Sequence, residues 1–325
     1  MFLYFFRRGN TISVFDLHIQ NLFYLFKIMI EQYTNQQHTI FHGDAISVLS
    51  NHIPSESVDL IFIDPPYNIG KKFGNLHDKW ESEAEYINWS YQWLDECIRI
   101  LKQNGTIYVM TSTQAMPYFD IYLRKKLTIL SRIIWHYDSS GVQATKYFGS
   151  MYEPILHCVK NKNNYIFNAD DIKVEAKTGA QRKLIDYRKS VPTPYNTEKV
   201  PGNAWYFPRV RYRMEEYENH PSQKPASLLE RIILASSHEG SLILDPFAGT
   251  FTIAAVAKVL GRESISIELQ EEYLKIGLRR VLKMPEYKGE KLLPPHKNHN
   301  IKNKNGKKVD LDFIQGSIFD ANTTA

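Results

Sequence analysis

The amino-acid sequence predicts an α/β fold built around a largely parallel sheet, and two stretches with the same rhythm support this prediction. In the first, the apolar strand VDLIFI (58–63) is followed by a helix over 84–102 and by the strand TIYVM (106–110). In the second, a strand, a helix and another strand follow one another over 241–269. Uninterrupted apolar strands that alternate with helices are typical of a sheet covered on both faces.

Periodicity defines the individual elements. In the helix over 84–102, apolar residues recur from Ile87 to Leu101 in steps of three and four, which places them on one face. We expect Asn104-Gly105 to end this helix. The other predicted elements are a strand and helix start in 38–49, a helix over 114–127, strands over 129–137 and 153–161, and helices over 224–237 and 270–284.

Changes in composition divide the chain into five predicted segments. An apolar N-terminal extension, 1–28, is expected to lie outside the fold. Its apolar runs are too short to cross a bilayer, which argues against a membrane span. Residues 161–219 lose the periodicity and are polar, aromatic and basic, so we interpret them as an insertion between two halves of one domain, 29–160 and 220–284. Lysine, asparagine and proline dominate 285–325, which predicts a basic, mobile tail.

Charge and cysteine content limit the functional classes. The 325 residues carry a formal net charge of +5, which suits a partner that bears phosphates without requiring one. The two cysteines, Cys97 and Cys158, lack any spacing typical of a zinc site, so no metal is expected. Such sparse cysteine is most simply explained by a reducing cytoplasm, and we expect no membrane association.

The strand over 58–63 ends abruptly in Asp64-Pro65-Pro66-Tyr67. Open α/β sheets bind ligands at the carboxyl ends of their strands. The two prolines fix the backbone there, so the Asp64 carboxylate and the Pro65 carbonyl form a rigid pair of acceptors, suited to an amino group with two N–H donors. Tyr67 adds a flat face on which a base can stack. These residues are therefore the candidate catalytic group for chemistry on an exocyclic amine.

The strand over 241–245 ends in a second motif. Asp245, Pro246, Phe247, Ala248 and Gly249 form a tight turn that leads into a helix near Thr250, where backbone N–H groups can face a nucleoside-type ligand. The next strand ends in Glu268, an acid placed to bind ribose hydroxyls. A nucleotide-dependent dehydrogenase would show a similar pattern, but the sequence has no G-x-G-x-x-G.

Together, Asp-Pro-Pro-Tyr and Asp-Pro-Phe-Ala-Gly resemble the motifs of S-adenosylmethionine-dependent amino-methyltransferases. Their order, with a recognition region between them, resembles the β group of DNA amino-methyltransferases. The resemblance implies a Rossmann-like methyltransferase fold with a doubly wound mixed sheet, S-adenosyl-L-methionine as cofactor and double-stranded DNA as partner. RNA guanine-N2 and protein-glutamine methyltransferases carry their cofactor motif upstream, so the order argues against them.

The resemblance also implies cofactor contacts outside the two motifs. HGDAISVL places Asp44 near the adenine of the cofactor, and NHPSQKP (219–225) places Ser222, Gln223 and Lys224 at its methionine end, where Asp64 also lies. One position departs from the family pattern: Phe251 stands where a second glycine is common. A phenylalanine restricts the turn and can cover the cofactor, and we expect it to alter cofactor packing without abolishing binding.

Two longer segments resemble the solitary adenine methyltransferases of the YhdJ type. They are YDSSGVQATKYFGSMYEPIL and YNTEKVPGNAWYFPRVRY. This likeness implies adenine N6 in the palindrome ATGCAT as the target, in a base flipped out of the duplex. For the DNA we expect contacts from basic residues of the recognition region, interleaved with aromatic residues that include Trp205, and from a loop near the target base. The residues assigned to these contacts are Arg182, Arg188, Arg209, Arg211, Ser139, Ser140 and Gly141.

Three alternatives stay open from the sequence. N4-cytosine methylation has the same amine chemistry, although those enzymes usually carry serine where Asp64 stands. A catalytically silent DNA-binding relative would keep the fold without the reaction, and the dehydrogenase remains as a third. The sequence also leaves undecided whether the chain forms a homodimer and whether a cognate restriction enzyme exists.

Overall fold

The computed structural model describes residues 30–35, 37–74, 76–138, 144–177 and 182–282, together with two short strands, Ile301–Lys302 and Lys308–Val309, that pair with each other. The predicted extension 1–28 and nearly all of the predicted tail 285–325 lie outside the described residues. None of the helices within these ranges combines the length and apolarity needed to cross a bilayer.

Nine strands form the main sheet, and we number them in chain order. They are β1 (Glu31–Thr34), β2 (His38–His42), β3 (Val58–Ile63), β4 (Leu101–Met110), β5 (Thr128–His136), β6 (Tyr152–Val159), β7 (Ala204–Tyr206), β8 (Leu242–Asp245) and β9 (Glu263–Glu268). Their spatial order is β1-β2-β9-β8-β3-β4-β6-β5-β7.

Strand direction determines which residues meet at the edge of the sheet. β2, β9, β8, β3 and β4 are parallel, β6 runs antiparallel to both β4 and β5, β7 is parallel to β5, and β1 is antiparallel to β2. The carboxyl ends of seven strands and the amino ends of β1 and β6 therefore lie at one edge, which we call the active edge. The predicted mixed sheet is confirmed.

Helices cover both faces of this sheet. They are α1 (Ala45–His52), α2 (Glu83–Ile100), α3 (Met116–Leu123), α4 (Ala226–Ser236), α5 (Thr252–Val259) and α6 (Glu271–Gly277). In β3, Ile61 and Ile63 pack with α1, α2 and α3, whereas Leu60 and Phe62 pack with α4 and α5. Because successive side chains of a strand point to opposite faces, a strand buried on both sides reads as a continuous apolar run. The doubly wound arrangement follows.

The junction between α2 and β4 differs from the prediction. The helix ends at Ile100, and β4 begins at Leu101 rather than at Thr106. Leu101 is fully buried and pairs with Val58, and the register then shifts so that Leu60 pairs with Thr106. The expectation that Asn104-Gly105 ends the helix was wrong, because these residues lie in an irregular part of the strand.

Residues 161–219 are attached to the sheet at its far edge. Two pairs of two-residue strands occur there, Val174–Glu175 with Glu198–Lys199 and Ile185–Asp186 with Thr193–Pro194. Further along, β7 pairs with β5. Trp205 in β7 is only 7% exposed and packs in the core, so this aromatic residue of the recognition region belongs to the packing of the sheet.

Candidate active site

The turn after β3 is held by groups distant in sequence. The carboxylate of Asp78 is buried and accepts hydrogen bonds from the backbone N–H groups of Tyr67 (3.2 Å) and Lys71. The Tyr86 hydroxyl donates to the Pro66 carbonyl at 3.0 Å. Since the prolines supply no donors of their own, these bonds fix where Asp64 points. Asp78 and Tyr86 are structural supports that motif reading did not identify.

Both carboxylate oxygens of Asp64 have side-chain partners. The Tyr67 hydroxyl donates to Oδ1 at 2.7 Å, and the Lys224 ammonium lies 2.6 Å from Oδ2. Lys224 Nζ is also 5.6 Å from the centre of the Tyr67 ring. The structure thus brings together two predicted motifs, because the 219–225 segment reaches the end of β3 through a buried lysine.

Glu153 is a member of this cluster that the sequence reading missed. It lies at the start of β6, and its Oε2 accepts a hydrogen bond from the Tyr67 hydroxyl at 2.9 Å and lies 3.5 Å from Lys224 Nζ. Its Oε1 accepts a longer bond, 3.4 Å, from the Tyr137 hydroxyl. Its position at the active edge depends on the antiparallel direction of β6, which strand periodicity does not reveal.

Two carboxylates therefore share one ammonium group in a buried cluster. Burial raises the pKa of Asp64; Lys224 opposes this shift, and the Glu153 carboxylate adds to it. Burial alone would lower the pKa of Lys224, but Asp64 and Glu153 together hold it above its ordinary value. Both carboxylates therefore favour the charged form of Lys224.

The segment that delivers Lys224 is fixed by its neighbours. Gln223 is 8% exposed; its amide donates to the Glu216 carbonyl at 2.6 Å and accepts from the Glu218 backbone N–H at 2.7 Å. The Lys71 ammonium donates to the Pro221 carbonyl at 2.7 Å, which links this segment to the turn after β3. Ser222 is half-buried beside them.

The second turn presents carboxylates with backbone partners. Glu268 accepts from the N–H of Gly249 (2.8 Å) and of Gln270 (2.7 Å), and Asp245 accepts from the N–H of Phe247 (3.1 Å). Burial raises the pKa of Glu268 to about 7 and that of Asp245 to about 8, although the backbone bonds act in the opposite direction.

Other residues complete this side of the edge. Ala248 N–H donates to the Ile267 carbonyl at 2.9 Å, and Pro246 is buried next to Asp245. A Cβ at Gly249, whose φ is +49°, would lie 3.1 Å from His220 Nε2, so the turn and the 219–225 segment touch directly. Burial lowers the pKa of His220 to about 3, so it is neutral. His220 was not among the predicted contacts.

Phe251 does not cover this site. It adopts a left-handed conformation with φ +58°, precedes α5, and is fully buried in a cluster with Ile40, Leu274 and Leu278. Its ring lies against Gly277, where an added Cβ would come within 2.6 Å of the ring carbons. The ring is enclosed in this cluster, next to Ala248 and against α6, so it does not cover the cofactor; its effect on cofactor packing stays a prediction.

Asp44 lies at the same edge, after β2. Its carboxylate accepts from the Ser47 N–H at 2.9 Å and so caps α1, and the side chain is exposed. The adjacent Gly43 N–H donates to the Glu268 carbonyl at 3.0 Å, which places Asp44 beside the strand that ends in Glu268. The structure therefore groups Asp44 with Asp245 and Glu268.

The predicted DNA-contacting residues fall into two groups. Arg209 lies over the Tyr137 ring at 5.0 Å, and Arg211 donates to the Asp138 carbonyl at 2.9 Å, so both adjoin the active edge. Arg188, paired with Asp186, and Arg182 instead line a separate cleft of about 530 Å³ between the short strand pairs. Ser139, Ser140 and Gly141 lie outside the described residues.

Comparison with known proteins places this geometry in a family. The DNA methylase family (N6_N4_Mtase) matches residues 58–279, which include the ends of β3, β8 and β9. The chain is 55% identical over 286 residues to the DNA adenine methyltransferase YhdJ of Escherichia coli (strain K12), covering 87% of this chain and 97% of the relative.

Two solved structures share the fold at lower identity. The cytosine-N4-specific PvuII DNA methyltransferase has a TM-score of 0.57 at 17% identity, covering 75% of this chain and 86% of that one. TTHA0409 from Thermus thermophilus, solved in complex with S-adenosyl-L-methionine, has a TM-score of 0.51 at 20% identity, covering 76% and 93%. The family match, the high-identity relative and the grouping of both motifs at one sheet edge agree: the chain belongs to the DNA methylase family.

Proposed function

We propose that the protein is a site-specific DNA methyltransferase that transfers a methyl group from S-adenosyl-L-methionine to N6 of an adenine flipped out of duplex DNA. One observation carries the choice of reaction: the Asp64 carboxylate lies at the active edge, fixed by the prolines that follow it and by the Asp78 and Tyr86 bonds. It is an acceptor held where an amino group with two N–H donors can reach it.

The residues present fit the cofactor. Each Glu268 oxygen accepts one backbone N–H and keeps lone pairs that ribose hydroxyls can use. A side chain at Gly249 would be strained at its φ of +49° and would press on His220, so glycine lets the turn keep the shape in which the Gly249 backbone N–H binds Glu268. Residues proposed to hold the cofactor are Asp44, Asp64, Ser222, Gln223, Lys224, Asp245, Pro246, Phe247, Ala248, Gly249 and Glu268.

When bound, the cofactor supplies an electrophilic methyl group on a sulfonium sulfur. The chain's task is to make the adenine amine nucleophilic, since its lone pair is delocalised into the ring. Asp64 and the Pro65 carbonyl each accept a hydrogen bond from one N–H of the N6 amine. These bonds favour the pyramidal amine and concentrate electron density on the nitrogen. Tyr67 supplies the ring on which the base stacks, and Pro66 keeps the turn rigid.

The target base is adenine on two grounds. The first position of the catalytic motif is Asp64, where N4-cytosine enzymes usually carry serine. The relative YhdJ, named a DNA adenine methyltransferase, is 55% identical over nearly its whole length. Resemblance to the YhdJ type implies ATGCAT as the recognition sequence. Arg209 and Arg211, beside the active edge, are the residues we assign to the DNA near the flipped base. With DNA as substrate and both cysteines free thiols, the site of action is the cytoplasm.

The test is methylation of DNA that carries no prior modification, followed by modification-sensitive sequencing. The expected result is N6-methyladenine at one short sequence, with ATGCAT duplexes as the first substrates. N4-methylcytosine instead would establish the second candidate, which the fold shared with the PvuII enzyme keeps in view. Absence of any methylated base, together with failure to bind the cofactor by calorimetry, would overturn the proposal in favour of a silent DNA-binding relative.

A further inference from the structure

Glu153 is a buried acid at the active edge that no motif accounts for. Its side chain is 15% exposed, and both oxygens face the site: Oε2 lies 2.9 Å from the Tyr67 hydroxyl and 3.5 Å from Lys224 Nζ, and Oε1 lies 3.4 Å from the Tyr137 hydroxyl. Burying a second carboxylate beside Asp64 is unfavourable unless it has partners. The contacts of Glu153 with the other site residues therefore indicate that it contributes to the site.

In the structure, the partners of Asp64 are the partners of Glu153. The Tyr67 hydroxyl has one hydrogen, yet it lies 2.7 Å from Asp64 Oδ1 and 2.9 Å from Glu153 Oε2. It can donate to only one of them at a time. Lys224 has three hydrogens and reaches both carboxylates. The Tyr67 hydroxyl can therefore switch its hydrogen bond from one carboxylate to the other, and the Lys224 ammonium can shift toward either one, without any movement of the backbone.

The proposed reaction creates a conflict at Asp64. The carboxylate has to accept a hydrogen bond from the adenine amine. Its Oδ1, however, already accepts one from the Tyr67 hydroxyl, and its Oδ2 is paired with Lys224. A carboxylate that already has two strong donors is a weaker acceptor for a third. Unless one donor turns elsewhere, Asp64 activates the amine poorly.

We propose that Glu153 is a positioning residue. When the target amine arrives, the Tyr67 hydroxyl donates its hydrogen bond to Glu153 and no longer to Asp64, which frees Asp64 Oδ1 to bind that amine. Glu153 then keeps the Tyr67 ring fixed for stacking and shares the charge of Lys224. This proposal rests on the proposed function and adds a residue to it. Glu153 acts through Tyr67 and Lys224 and does not itself touch the substrate.

The surrounding charges are compatible with this exchange. Besides Asp64, Tyr67 and Lys224, the groups near Glu153 are Tyr137, Lys71 and Arg209, whose guanidinium lies over the Tyr137 ring at 5.0 Å. Tyr137 donates a hydrogen bond and Lys71 and Arg209 are cations, so these neighbours suit an acceptor at this position. A purely structural ion pair would not need the acid here, because Lys224 already has its closer contact, 2.6 Å, with Asp64.

The test compares the full-length protein with Glu153→Gln, which keeps the shape of the side chain and one acceptor oxygen but removes the charge. We expect kcat to fall roughly 10- to 100-fold, because misplaced reacting groups cost about this much, while the Kd for DNA and the KM for the cofactor stay within about threefold. The acid limb of the kcat–pH profile should move to lower pH, because the Glu153 charge raises the pKa of Asp64. Glu153→Asp, which keeps the charge, should recover part of the loss.

A double-mutant cycle tests whether Glu153 acts through the Tyr67 hydroxyl. In a Tyr67→Phe background there is no hydroxyl hydrogen to accept, so Glu153→Gln should cost much less than in the wild type. Glu96→Gln is the matched control: Glu96 is a half-buried acid paired with Arg99 at 2.8 Å on α2, and its loss should leave kcat and the pH profile unchanged.

The outcomes separate the two proposals. A wild type that methylates no base refutes the proposed function itself. A wild type that methylates DNA, with Glu153→Gln equal to it in kcat and in pH profile, refutes only the role of Glu153. An equal loss in the Tyr67→Phe background refutes that role too, since it shows that Glu153 does not act through the hydroxyl.

Discussion

Two carboxylate sites on the active edge hold their acids in different ways. At the end of β3, Asp64 is bound by a hydroxyl and an ammonium group from side chains. At the ends of β8 and β9, Asp245 and Glu268 are bound by backbone N–H groups. The backbone bonds fix orientation but supply no full positive charge, whereas the side-chain bonds supply charge and can be exchanged.

This difference matches the tasks proposed for the two sites. A cofactor that binds in one pose needs acceptors that do not move, and hydrogen bonds from a fixed turn provide them. A carboxylate that has to accept a new hydrogen during the reaction needs partners that can turn away. The comparison predicts that single substitutions disturb chemistry at the first site and binding or stability at the second.

The largest expected effect is at Asp64. Asp64→Ala removes the acceptor for the amine and leaves Lys224 without its closest counter-charge, so methyl transfer should fall by about 10³-fold or more. Single-turnover methylation of a duplex substrate measures it, with thermal unfolding as the control for folding. Activity near the wild-type level would contradict the assignment of Asp64 as the catalytic acceptor.

The next effect is a pH dependence of stability from Glu268. Its pKa in the folded protein is about 7 against an ordinary 4.5, so the folded state binds the proton more tightly. The stabilisation is fully present below about pH 4.5 and is lost as the pH rises through 7, a change on the order of 3 kcal/mol. Denaturant unfolding of cofactor-free protein from pH 5 to 8 should show the wild type losing stability relative to Glu268→Gln. A constant difference would show that backbone donors fully compensate the buried charge.

A smaller effect is expected where Phe251 meets Gly277. Gly277→Ala places a methyl group 2.6 Å from the ring carbons in a fully packed cluster and should lower the free energy of unfolding by about 1–3 kcal/mol. In a Phe251→Ala background the same change should cost less than about 1 kcal/mol, because the methyl then fills space. Chemical denaturation of the four proteins measures the coupling, and additive costs would show that the ring is not the obstacle.

The smallest effect is expected away from both carboxylate sites. The side chain of Arg188 is 78% exposed and lines the cleft away from the active edge, so we expect it to contact DNA only at phosphates. Arg188→Ala should weaken DNA binding less than tenfold and reduce the slope of log affinity against log salt by about one. The kcat at saturating DNA should not change. Affinity titrations at several salt concentrations test this, and an unchanged slope would remove Arg188 from the interface.

Sequence reading succeeded where function depends on the carboxyl ends of parallel strands. The apolar runs before Asp64, Asp245 and Glu268 predict buried strands, and parallel strands bring such ends to one edge without further information. That is why both motifs were identified from local patterns alone. The contact between Lys224 and Asp64, which are far apart in the chain, needed the tertiary structure, although the lysine's segment was assigned to the site.

The features that the sequence does not reveal depend on strand direction, on tertiary contacts or on side-chain packing. Glu153 reaches the site only because β6 runs antiparallel, and an acid at the start of a strand carries no local signal. Asp78 acts through backbone groups in a turn, and its sequence context does not distinguish it from other loop acids. The fit of Phe251 against Gly277 is a matter of shape between α6 and a turn, and spacing in the chain does not encode shape.

The way β7 joins the sheet sets a condition for exchanging DNA specificity between relatives. Ala204–Tyr206 pair with β5, and the side chain of the central residue, Trp205, is buried in the core. A graft that disrupted β7 while replacing 161–219 would leave β5 paired only with β6, as a long exposed edge strand, which invites aggregation. We therefore expect chimeras that retain 204–207 and exchange only the segment before them to keep β5 paired on both sides, with Arg209 and Arg211 left in place beside the active edge.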